Sequence, residues 1–182
     1  FIWDYVGLHR KADFIPRIHK IICERLCKVS LKETQAAVDA AYAEYYAYMN
    51  AVRLKGDEYM SVAKEKNMPV IILCGRPYHL DSEINHGIDK LICECGAVLV
   101  TEDSVSGHIS KFNTNVLDQW TYQSRLYAAA KFVAESNDNM INLVQLVSFG
   151  CGTDAVTTDE VRSILENRGR IYTQIKIDEI TN

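Results

Sequence analysis

The sequence predicts an α/β protein: a doubly wound parallel sheet of about four strands with an N-terminal helical arm. Three observations carry this. Short strand-like segments at 70–73, 97–100, 143–147 and 171–177 alternate with helical segments, which is the pattern of a parallel sheet with crossover helices. The first run, Val70-Ile71-Ile72-Leu73 behind Pro69, is apolar throughout, as a strand covered on both faces must be. Residues 1–66 hold no such run and read as helix. The chain therefore divides into a helical segment, 1–66, with a long helix at 31–66, and an α/β domain, 67–182.

Taken in order, the arm begins with a helix on which Cys23 and Cys27, four apart, share a face expected to pack inward. Ser30-Leu31-Lys32-Glu33 has capping-box spacing, in which Ser and Glu satisfy two orphan amides reciprocally. The long helix it opens carries a seam at steps of four and three: Val38, Tyr42, Tyr45, Met49, Val52, Gly56, Tyr59 and Ala63. Such a heptad-like seam fits either a helix lying along its own domain or an arm packed on another chain. After the first strand a helix is expected over Ile84–Cys93, with Cys93 and Cys95 packed at its end. Another is expected over Val116–Glu135. Thr157-Thr158-Asp159-Glu160 repeats the capping-box spacing and predicts a helix over Val161–Asn167, stopped by Gly169.

Composition narrows the class of function. In 182 residues, 20 Lys plus Arg stand against 24 Asp plus Glu, a net charge of −4. That gives no electrostatic reason for a nucleic-acid or anionic-membrane partner. No apolar run approaches the roughly 20 residues of a membrane span. Six cysteines are scattered among apolar residues, with three Pro and no Cys-x-x-Cys pair. This speaks against a secreted disulfide scaffold or a zinc ribbon and for a reducing, cytoplasmic compartment. The chain opens Phe1-Ile2-Trp3, so a fragment of a larger protein is expected.

The chemistry is expected at the strand tips. These are Gly75-Arg76-Pro77-Tyr78-His79, Thr101-Glu102-Asp103-Ser104, Ser148-Phe149-Gly150-Cys151-Gly152 and Asp178-Glu179. In a parallel sheet they share one edge, and ligands bind where strand order reverses. With order 2-1-3-4 the first and third tips face each other. Arg76 offers a planar fork for phosphate or carboxylate, Tyr78 and His79 polar tips, and Asn85 and His86 further polar groups on the next turn. Glu102, Asp103 and Ser104 complete the candidate ligand set, in a link to 114 that reads as a solvated loop or a lid. No Walker or Gly-x-Gly-x-x-Gly pattern is present. Cys151, between two glycines, is approachable and near a helix start, which suits a thiolate; a small core residue in a tight turn is the alternative. Cys74 reads as core, and Cys151 as the most accessible of the six thiols.

Several of these segments form an ordered series: Gly75–His79, Ile84-Asn85-His86-Gly87-Ile88, Glu102-Asp103-Ser104-Val105, Asn115–Trp120, Ser148–Gly152, Asp154-Ala155-Val156-Thr157-Thr158 and Lys176-Ile177-Asp178-Glu179. The series resembles the large, fusion-type acyl-CoA dehydratase activase-related proteins, also called CoA-substrate-specific enzyme activases. Their corresponding region is similar to 2-hydroxyacyl-CoA dehydratase subunits. The resemblance implies a flavodoxin-like fold, low-potential electron handling for reductive or dehydration chemistry on CoA esters, and anaerobic metabolism. It implies a [4Fe–4S] cluster in the full-length protein with Cys151 as one ligand, none being stable in this chain alone. The implied partners are the remaining domains of the parent chain, including an activase-like ATPase, and a CoA ester. The ATPase phosphate loops are absent here, so the chain corresponds to the other part. An anion- or small-molecule-binding module without a cluster, and an inter-domain interaction domain, are the alternative readings.

Overall fold

A computed structural model describes residues 1–148 and 150–177. The expected Asp178-Glu179 tip and Phe149 lie outside the described residues. By contact the chain forms two compact units, 1–50 and 51–182.

The first unit contains α1 (Lys11–Arg25) and the opening turns of α2 (Leu31–Glu65). The capping box at its start is formed: Glu33 Oε2 accepts the Ser30 amide at 2.8 Å, and Ser30 Oγ accepts the Glu33 amide at 3.2 Å. Phe14 meets Tyr42 edge-on, and the Tyr42 hydroxyl donates to Leu8 O at 2.6 Å. Cys23 and Cys27 are both exposed. α1 ends at Arg25, so Cys27 lies beyond it and the shared inward face is not formed.

The second unit holds the last turns of α2, then β1 (Val70–Cys74), α3 (Ile88–Glu94), β2 (Val98–Thr101) and α4 (Glu102–Val105). It continues with α5 (Thr121–Glu135), β3 (Ile141–Ser148), α6 (Gly152–Glu166) and β4 (Thr173–Ile177). All three strand pairings are parallel and the order is β2-β1-β3-β4. The predicted α/β fold is present, and it is flavodoxin-like. Alternation along each strand sends residues to opposite faces. Val70, Ile72, Cys74, Val100 and Leu143 pack with Leu126, Tyr127, Ala130 and Val133 of α5 and with Val161 and Leu165 of α6. Leu73, Val144 and Leu146 pack on the other face against Ile88 and Ile92 of α3. From α2, Ala63 enters the first of these cores. Gly56 lies so close to Ser104 that an added Cβ would sit 2.6 Å from the serine Cβ.

Helix starts differ from expectation for local reasons. α3 begins at Ile88, not Ile84, because His86 and Gly87 both take positive φ, 55° and 78°. α5 begins at Thr121 rather than Val116; the preceding Thr114 hydroxyl is turned onto Val116 O at 2.7 Å. α6 begins at Gly152, nine residues before the predicted start at Val161. Thr157 and Thr158 sit inside it, their hydroxyls donating to the carbonyls of Asp154 and Ala155 three residues back. Glu160 accepts instead from the Asn115 amide at 3.0 Å. Cys93 and Cys95 are exposed, not packed. Among the described residues no helix is long and apolar enough to cross a membrane.

Candidate functional site

The tips of β1 and β3 are neighbours in a sheet whose order reverses between them. Ser148 ends β3, Gly150 takes φ 72°, and Cys151 stands at the N-cap of α6. A Cβ added at Gly150 or Gly152 would meet nothing within 4 Å. Gly150 is therefore required for its backbone angle, and the glycines leave space beside the sulfur.

Hydrogen bonds cross from one tip to the other. Asp154, on the first turn of α6 and nearly buried, accepts from Arg76 Nε and Nη2 at 3.1 Å each through Oδ1. Its Oδ2 accepts the Ser148 amide at 2.9 Å. The Arg76 guanidinium also donates to Cys151 Sγ. His79 is 1% exposed, and a Cβ on Gly75 would fall 2.7 Å from its Nδ1. The Arg76 amide donates to that Nδ1 at 3.1 Å. The proton must then sit on Nε2, which lies 3.1 Å from Ser148 Oγ and donates to it. Burial holds the His79 pKa below its ordinary value, with Asp154 opposing this and Arg76 assisting it, so the ring is neutral. A ring nitrogen that already carries a proton cannot remove one from Ser148. The pair orients a hydroxyl; it is not a nucleophile–base dyad. The Tyr78 hydroxyl, 3.4 Å from Ser148 Oγ, and a half-exposed ring complete this rim.

These bonds span the β1–β3 crevice. A cleft of about 480 Å³ lies one strand further along, lined by Ser148, Cys151, Asp154, Thr158, Gln174 and Lys176, among others. Cys151 thus faces Arg76 on one side and the cleft on the other.

Of the residues singled out in the sequence, the structure brings Arg76, Tyr78, His79 and Cys151 together. Asn85 and His86 lie in the turn before α3: Asn85 is fully buried, its Oδ1 accepting the Gly87 amide at 2.9 Å while Nδ2 has no partner, and His86 is exposed. Glu102, Asp103 and Ser104 stand at the tip of β2. The link they begin is helical from Glu102 to His108. Asp103 accepts from the Thr101 hydroxyl, and Ser104 Oγ donates to Thr101 O at 2.7 Å. Glu102 is 2% exposed with Oε2 unpartnered, and burial raises its pKa to about 7. Cys74 is buried as expected; burial first, then Glu102 and Asp103, pushes its thiol well up. Cys151 is only half-buried, while Cys23, Cys27, Cys93 and Cys95 are exposed, so it is not the most accessible thiol. Asp154 and Ser148 were absent from the expected ligand set. The signal for Asp154 was an acidic residue at the third position of a helix opening at a strand tip, where free amides and a nearby cation favour a carboxylate.

The polar network and the half-buried thiol stand at the point of strand-order reversal, the edge at which doubly wound α/β sheets in general bind ligands. The family model described as CoA enzyme activase uncharacterised domain (DUF2229) matches residues 3–105, and the chain belongs to that family. Searches of curated proteins and of solved structures returned no match.

Proposed function

We propose that this chain is the α/β module of a cytoplasmic iron–sulfur protein of anaerobic metabolism that handles low-potential electrons for reductive or dehydration chemistry on CoA esters. Cys151 is its thiolate donor. The supporting observation is the setting of that sulfur: glycines on both sides with open space, a guanidinium N–H on one face and a cleft on the other. Hydrogen bonds to ligand sulfurs are among the features that set cluster potentials. Among the described residues no group of three or more His, Cys, Asp or Glu could hold a metal. Cys151 would be one thiolate corner of a [4Fe–4S] cluster, and the other ligands would have to come from outside the described residues. When bound, the cluster supplies one-electron chemistry. This chain's own residues hold the sulfur: Arg76 donates to it, Asp154 anchors Arg76, and Gly150 aims the turn. An activase-like ATPase domain of the same parent and a CoA ester are the proposed partners.

The test is iron and sulfide content of the anaerobically purified full-length protein and of its Cys151→Ala variant. Iron lost with folding intact is the expected result; a variant that keeps its cluster overturns the ligand role. A second reading, binding of an anionic small molecule, is favoured by one observation. The Ser148 hydroxyl, held by His79 at 3.1 Å, stands at the end of β3, and α6 with its first-turn amides opens at Gly152. Ligand-dependent thermal stabilisation of iron-free protein is its signature.

A further inference from the structure

We infer that Asp154 is a positioning residue for the site: it holds the Arg76 guanidinium on the Cys151 sulfur. Four hydrogen bonds carry this. Oδ1 takes both Nε and Nη2 of Arg76 at 3.1 Å, the same Nη2 donates to Cys151 Sγ, and Oδ2 takes the Ser148 amide at 2.9 Å. One carboxylate thus ties the β1 tip, the β3 tip and the first turn of α6. Asp154 is 7% exposed, and the side chain of Arg76 is 30% exposed, so the fork is held where solvent competes little. A free arginine side chain loses rotamer entropy when it adopts one geometry; a two-point grip by a buried carboxylate removes most of that cost beforehand. The residue acts through Arg76 and does not itself touch the sulfur in any contact the structure contains.

The idea rests on Cys151 being the working thiol, but its test does not depend on iron. The metal-free, reduced full-length protein is alkylated in parallel with iodoacetate and iodoacetamide, and the rate at the Cys151 peptide is read by mass spectrometry, with exposed Cys93 as internal control. Both reagents attack the same thiolate, so their rate ratio reports local charge and cancels the thiolate population. Arg76→Gln should lower the iodoacetate-to-iodoacetamide ratio about fivefold, the effect of one unit charge near 4 Å in water. Asp154→Asn is the decisive variant. Plain removal of a negative charge would raise the ratio; loss of positioning lowers it. Asn offers one acceptor oxygen where Asp154 uses two, so it cannot grip Arg76 and the Ser148 amide together. A ratio at least twofold lower is expected, with the Arg76→Gln/Asp154→Asn double variant falling no lower than Arg76→Gln alone, since no guanidinium then remains to be positioned. A ratio unchanged or raised overturns the inference. Arg76→Lys keeps the charge but not the fork, so it provides a second check should Asp154→Asn fold poorly; an unchanged ratio there also overturns it. Failure here with iron still lost in Cys151→Ala would leave the proposed function standing. The converse result would leave Asp154 as the anchor of a thiol that serves another purpose.

Discussion

His79 illustrates how a single side chain fixes the character of the site. Its Nδ1 is committed to the Arg76 amide and its Nε2 proton to Ser148, so its tautomer is set by the backbone beside it. That commitment requires Gly75, whose missing Cβ makes room for the ring. Gly75→Ala would place a methyl 2.7 Å from Nδ1, and the ring, buried and bonded at both nitrogens, cannot swing aside without losing a partner. Overpacking of this kind costs about 1–3 kcal/mol. The expected outcome is a loss of that size in denaturant unfolding, together with a shift of the His79 ring resonances in NMR. A variant as stable as the parent, with unshifted ring signals, would show that the turn tolerates the methyl. At this scale the sequence showed Arg76, Tyr78 and His79 as candidates because they cluster in five residues. It did not show Asp154, whose role depends on a contact 78 positions away in the chain.

Two capping-box patterns with the same spacing had opposite fates. Ser30 and Glu33 form the reciprocal bonds at the start of α2, where no earlier turn exists to compete. Thr157 and Glu160 satisfy the same pattern from inside α6, because both Thr157 and Thr158 hydroxyls back-bond to the preceding turn and Glu160 finds a partner outside the helix. Spacing alone cannot tell a cap from an interior hydroxyl, since both give Oγ a nearby backbone partner. Ser30→Ala should therefore cost about 1 kcal/mol, the usual loss for a cap serine. Urea unfolding followed by helical circular dichroism checks it, and a change below about 0.3 kcal/mol would deny the cap its role. The strands were legible for the opposite reason. Their patterns are local, and alternation with helices implies a parallel sheet. The order of the strands is set by contacts between distant segments, so the reversal between β1 and β3 was an assumption that the structure bears out.

For the α/β unit as a whole, two buried titratable groups give stability a pH dependence with opposing signs. Burial lowers the His79 pKa. As pH falls through 6.5, the unfolded chain gains a proton that the native ring resists, and stability is lost toward acid. Glu102 behaves in reverse. Burial, with Asp103 adding to it and its own amide and Arg125 opposing, raises its pKa from 4.5 to about 7. The native state keeps a proton that the unfolded state releases above about 4.5. Glu102's contribution is thus fully present below that value and is lost as pH rises through about 7. The shift corresponds to about 3 kcal/mol. Glu102→Gln removes this term while leaving His79, Asp103, Cys74 and Arg125 in place, so the difference between variant and parent isolates it. The variant should match the parent near pH 5 and be more stable by about 2–3 kcal/mol at pH 8. Denaturant unfolding at both values measures this. A difference that stays constant between pH 5 and 8 would mean that Glu102 is ionised in the folded protein, with its unpartnered Oε2 reached by water.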